Sequence, residues 1–190
     1  MTDQQAQALV TALEPAMQPD EPPATIRCAV IGATPARPPL AHYLRACGVA
    51  VLEWDDLESA PLEELDGVIA VACYVPHPHW LDSLAHRDLI HTPVVFADRS
   101  IRIGPRVEPG QGPCLSCMET LSRTRHPDWL NIQSQLWGAT SPLSSPEVVY
   151  QVAPLIAAIH GLVTWGPPPT SPPSGRQLVY SPDSRQIREE

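Results

Sequence analysis

Between residues 26 and 165 short apolar runs alternate with amphipathic stretches. Ile26-Arg-Cys-Ala-Val-Ile31, closed by Gly32, is the pattern of a strand covered on both faces. A helix is expected from about Pro38 to Ala46, with prolines in its first turn and Leu40, Tyr43, Leu44 and Cys47 facing inward. Gly48 ends it, and Val49–Glu53 reads as a second strand. Acidic residues 55–66 form a short helical or irregular crossover. Gly67–Ala72 is a third buried strand, Trp80–His86 a helix and Pro93–Phe96 a fourth strand. This alternation implies a parallel sheet covered by helices.

Further on, Asp98–Ser100 turns the chain into Ile101–Gly104, an antiparallel hairpin. Helices follow from Leu115 to about Arg125 and from Asp128 to Leu136. The longest apolar-periodic segment, Pro146–Trp165, carries no charge past Glu147 and reads as a buried helix with a bend at Pro154. Arg176–Tyr180 and Arg185–Arg188 flank the turn Ser181-Pro-Asp-Ser184 as a closing hairpin.

Composition limits the reading. The 190 residues suffice for one domain with a real core. The 24 prolines concentrate at 15–23 and 167–173, which marks linkers. Residues 1–24 are thus expected to be a short helix, over 3–13, plus a proline-rich linker. Residues 25–190 form the α/β domain, with the 167–173 linker before the final hairpin. A net charge of −9 without clustered cations argues against nucleic acid. No membrane span and no secretory signal is evident, and five cysteines, an odd count, point to reduced thiols in the cytoplasm.

The candidate chemistry is sparse. After the first strand Gly32-Ala-Thr-Pro-Ala-Arg37 retains one glycine where a dinucleotide fold has G-x-G-x-x-G, and Pro35 lacks an N–H. ATP is therefore not expected to bind. Asp55 and Asp56 are expected to solvate the crossover and cap the next helix. Pro76-His77-Pro78-His79-Trp80 reads as a surface turn, and Cys28, Cys47 and Cys73 read as core residues. No catalytic constellation and no cofactor-binding residue is identified. Cys114 and Cys117 form a C-x-x-C pair at the spacing of metal ligands, but a structural zinc site takes four donors.

Gly104-Pro105, Pro109-Gly110, Cys114-Leu-Ser-Cys117, His126-Pro127-Asp128-Trp129 and Gln135-Leu136 together give the chain a family likeness. It resembles the E1-like (ThiF-type) proteins of thiazole/oxazole-modified peptide (bacteriocin) biosynthesis, the cyclodehydratase-partner or leader-peptide-binding family. The resemblance covers most of residues 26–188 and implies a degenerate E1-like, Rossmann-like parallel sheet. It implies a non-catalytic partner that presents a ribosomal precursor peptide to a YcaO-type cyclodehydratase. That enzyme uses ATP to close Cys, Ser or Thr into azolines. Two departures temper the carry-over. About 24 residues precede the first strand, fewer than the ~50 of an independent leader clamp. The family's second cysteine pair, which would complete a zinc site, does not follow the final hairpin. The alternatives are an ATP-dependent adenylyltransferase acting on a peptide carboxylate, and a structural homodimer joined through the 146–165 helix. Against the first, the chain contains no lysine and Arg37 is the only cation near the turn.

Overall fold

The structure, a computed structural model, describes residues 26–162 and 177–190. The helix expected over 3–13 and both proline-rich linkers lie outside the described residues. The elements run β1 (Arg27–Ile31), α1 (Arg37–Ala46), β2 (Ala50–Trp54), a 3-10 turn (Leu62–Glu64), β3 (Gly67–Cys73), α2 (Pro78–His86), β4 (His91–Phe96) and β5 (Ile101–Ile103). After these come α3 (Leu115–Arg125), α4 (Trp129–Leu136), a second 3-10 turn (Pro142–Ser144), α5 (Pro146–His160), β6 (Leu178–Ser181) and β7 (Gln186–Glu189).

The seven strands form one mixed α/β sheet in the order β2-β1-β3-β4-β5-β6-β7. β1 pairs in parallel with β2 and β3, and β3 with β4. β5, β6 and β7 continue it antiparallel. Strand alternation sorts the core into two layers. Cys28, Val30, Ile69, Val71, Val94 and Phe96 face Leu40 and Leu44 of α1 and Val149, Val152 and Ile156 of α5. Ala29, Ile31, Val68, Ala70 and Ala72 face Leu62, Trp80, Leu84 and Leu115 on the opposite side.

Three expectations need correction. The long apolar helix stops at His160, because Gly161 takes φ +83° and reverses the backbone. The Gly161 amide donates to Ala158 O and the Leu162 amide to Ala157 O, a Schellman closure that fills the last carbonyls. Its apolar stripe (Val149, Val152, Ala153, Ile156 and Ala157 are all buried) is consumed against the sheet and α1, so it is not a dimer face. Cys47 is exposed rather than internal, since it caps the end of α1 at the bend that leads into β2.

Candidate functional site

In open α/β sheets the carboxyl ends of the parallel strands form a crevice suited to ligands. Here β1 ends at Gly32, φ +142°, where an added Cβ would lie 2.0 Å from Val71 O. Only glycine lets β1 and β3 approach that closely. The turn that follows is tied to itself. The Thr34 amide donates to Gly32 O at 2.9 Å, the Arg37 amide to Thr34 O at 3.1 Å and the Ala36 amide to Thr34 Oγ1 at 3.3 Å. The Gly32 amide donates to Trp54 O at 2.9 Å, and Pro35 has no amide. These are the groups that would have to converge on a phosphate.

The nearby cation is engaged as well. Arg37 donates to Gly32 O at 3.0 Å, pairs with Asp55 and lies 3.6 Å from Glu53. Asp55 therefore anchors the turn as well as solvating the crossover. Asp56 caps a turn and not a helix: its Oδ1 accepts from the Ser59 hydroxyl and amide, which hold its carboxyl below the ordinary range. The mouth of the crevice is consequently acidic.

What remains between these groups is a cavity of about 150 Å³, lined by Thr34, Cys73, His77, Trp80, Trp137 and Thr140 among others. Tyr74, with φ +64°, reverses the chain just after β3, its amide donating to Phe96 O and its carbonyl accepting from Arg102. That reversal swings Val75-Pro76-His77 over the opening. His77 is thus no simple surface turn. Its Nδ1 is buried without a hydrogen-bond partner, and its ring meets Trp137 edge-on at 4.6 Å. Burial, reinforced by His79, holds its pKa below the usual histidine value against the pull of Glu58 and Asp56, so it is neutral at pH 7. Cys73 is half-buried and hydrogen-bonds Thr34 Oγ1 at 3.3 Å, not an imidazole. No thiolate–imidazolium pair is assembled there.

Trp137 reaches the crevice from α4, and α4 is oriented inside out. Glu119 on α3 accepts from Trp129 Nε1 and Gln133 Nε2, each at 3.0 Å, and from Arg123 Nε at 3.1 Å. These bonds draw the polar side of α4 inward, while Leu130, Ile132 and Trp137 stay 40–53% exposed. Glu119 and Trp137 were not singled out in the sequence, because their roles depend on how α3 and α4 fold back over the sheet, and His77 was read only as part of a surface turn.

Cys114 and Cys117 open α3, with Cys114 at its N-cap. Burial raises the Cys114 thiol, but hydrogen bonds from Cys117 and the Ser116 amide outweigh it and leave it below the ordinary value. The two sulfurs stand 3.7 Å apart, close to the roughly 3.8 Å edge of a tetrahedral zinc–thiolate shell. No group of three or more His, Cys, Asp or Glu that could hold a metal occurs among the described residues. One edge of a zinc site fits and the donor set is incomplete, so no chemistry is derived through zinc. No helix among the described residues is long and apolar enough to cross a membrane.

No protein-family model and no curated protein sequence matches the chain. Solved structures do match. A heterocyclase in complex with substrate and cofactor superposes with a TM-score of 0.61 at 12% identity, over 100% of this chain and 30% of that one. A chain of the E. coli microcin synthetase McbBCD complex gives 0.58 at 12% identity, over 97% of this chain and 73% of that one. E. coli MccB with ATP gives 0.55 at 13% identity, over 87% of this chain and 63% of that one. At such identities the likeness is one of fold, and the chain spans less than a third of that heterocyclase's length.

Proposed function

We propose that the chain is a non-catalytic, E1-like partner subunit in the biosynthesis of azole- or azoline-bearing ribosomal peptides. In this reading it supports a YcaO-type cyclodehydratase and takes part in presenting the precursor peptide. The observation that carries it is the turn after β1: the amides of Gly32, Thr34, Ala36 and Arg37 are engaged within the protein, and Arg37 is neutralised by Asp55 and Glu53. Adenylation needs backbone donors and cations converging on the transferred phosphate. That fold with that defect suits a subunit whose partner supplies the ATP chemistry. The fold neighbours include a heterocyclase bound to substrate and cofactor and a microcin synthetase complex, which supports the choice of pathway.

The chain's own contribution is positional. A rigid mixed sheet displays the α3–α4 face, with Leu130, Ile132 and Trp137 exposed for contact. Mixing the purified chain with a YcaO-type enzyme and its precursor peptide should give a co-eluting complex. Ring formation, read by mass spectrometry as loss of one water per ring, should accelerate. An unchanged rate with no co-elution overturns the reading. Peptide-dependent pyrophosphate exchange by this chain alone overturns it in favour of an adenylyltransferase.

A further inference from the structure

The crevice after β1 has lost the means to hold phosphate and yet it has not closed. The geometry points to a second life for it: we infer that it binds an uncharged, planar heteroaromatic group bearing a hydrogen-bond donor and acceptor. This rests on the crevice itself and not on the peptide-biosynthesis reading.

Three features set the ligand class. First, size: about 150 Å³ is roughly half the lower end of pockets that take drug-sized ligands, enough for a ring and too little for a nucleotide. Second, charge: Arg37 is spent on Asp55, while Asp56 and Glu58 stand near enough to act on His77 with no cation paired to them among the described residues, so an anion meets repulsion at the mouth. Third, surface chemistry: the rings of His77, Trp80 and Trp137 line the cavity and offer faces and edges to a flat group. The Thr34 and Thr140 side chains supply uncharged polar contacts alongside them.

The orphaned His77 Nδ1 is the sharpest evidence. A buried nitrogen without a partner is uncommon in folded proteins, and this one belongs to a ring that lines the cavity, so a small turn of the ring brings it to the polar edge of an occupant. The imidazole is neutral, so in either tautomer Nδ1 pairs with one end of an amide-like group on the ligand. Trp137 meets the same imidazole edge-on and is half-exposed, which leaves part of its indole free for a flat ligand.

The test uses the full chain, labelled with nitrogen-15, and thiazole-4-carboxamide as probe. The indole N–H signals of Trp137 and Trp80 should shift and saturate in the millimolar range, as befits about eight heavy atoms. Trp129, which lies outside the crevice, should stay put. ATP should leave all three unmoved. Ala33→Leu, at an exposed position on the rim, should abolish saturation while the rest of the spectrum reports an intact fold. His77→Phe keeps a ring of similar size but removes the nitrogen, and should weaken the probe about fivefold. Absence of saturable shifts at Trp137 and Trp80 overturns the inference, as does saturation that survives Ala33→Leu. ATP displacing the probe from the same signals also overturns it.

Discussion

The two ends of the parallel sheet carry the same three kinds of side chain and treat them in opposite ways. At the carboxyl end Thr34, Cys73 and His77 border an open crevice. At the amino end Thr92, Cys28 and His160 are sealed. His160 Nδ1 bonds Thr92 Oγ1 at 2.9 Å, and its Nε2 lies 3.9 Å from Cys28 Sγ. Gly67 has no Cβ, and one would stand 2.4 Å from His160 Nε2. Burial pushes the Cys28 thiol up to about 12; burial, with Arg106 and His91, brings His160 down to about 3. The amino end is a filled joint, and the carboxyl end is a site. Residue type does not decide this; what packs over the residues does.

The comparison is open to several tests. Thiol labelling of the native chain should separate the two ends most. Cys28, fully buried, should react on the order of a thousandfold more slowly than half-buried Cys73, and only through opening of the fold. Comparable rates would mean the amino end is not sealed. Next come the glycines. Gly32→Ala drives a Cβ into Val71 backbone oxygen, which has nowhere to go, and should cost about 4 kcal/mol in denaturant unfolding. Gly67→Ala meets a side chain instead and should cost about 2 kcal/mol.

Acid should act on the amino end. An unfolded histidine titrates near 6.5 and folded His160 near 3, so the unfolded chain binds the extra proton between those values. The stability from a neutral His160 is complete above about pH 6.5. It is lost progressively down to about pH 3, for a total on the order of 5 kcal/mol. His91, also lowered by burial, adds in the same direction. A His160→Leu variant should show a flatter decline across that window. Smaller effects belong to the carboxyl end. Arg37→Ala, which frees the turn from Asp55 and Gly32, should cost about 1 kcal/mol. His77→Phe should change stability by no more than about 0.5 kcal/mol, because its nitrogen supports nothing in the fold.

Much of the framework was readable from the chain, because buried parallel strands write themselves as unbroken apolar runs. β1, β3 and β4 fall within two residues of their expected bounds, as do α1, α3 and α4. The missing phosphate cradle was visible as lost glycines and Pro35. What no local pattern could reveal is that the amides of Gly32, Thr34, Ala36 and Arg37 are consumed by Trp54 O, Gly32 O and Thr34. Tertiary placement likewise decided Cys47, whose apolar spacing on α1 promised burial that the end of the helix does not provide. Gly161 ended α5 five residues early, because one left-handed residue outranks a continuing hydrophobic period. For α4 no local period decides: Leu130 and Ile132, two residues apart, lie on different sides of the helix, and Glu119, from another helix, claims the side of Trp129 and Gln133.

That single carboxylate has a mechanical consequence. Three donors from two helices converge on Glu119, and the helix it pins ends in Trp137, the indole that stands over the crevice. A carboxylate outside the crevice thereby fixes where the indole on its wall stands.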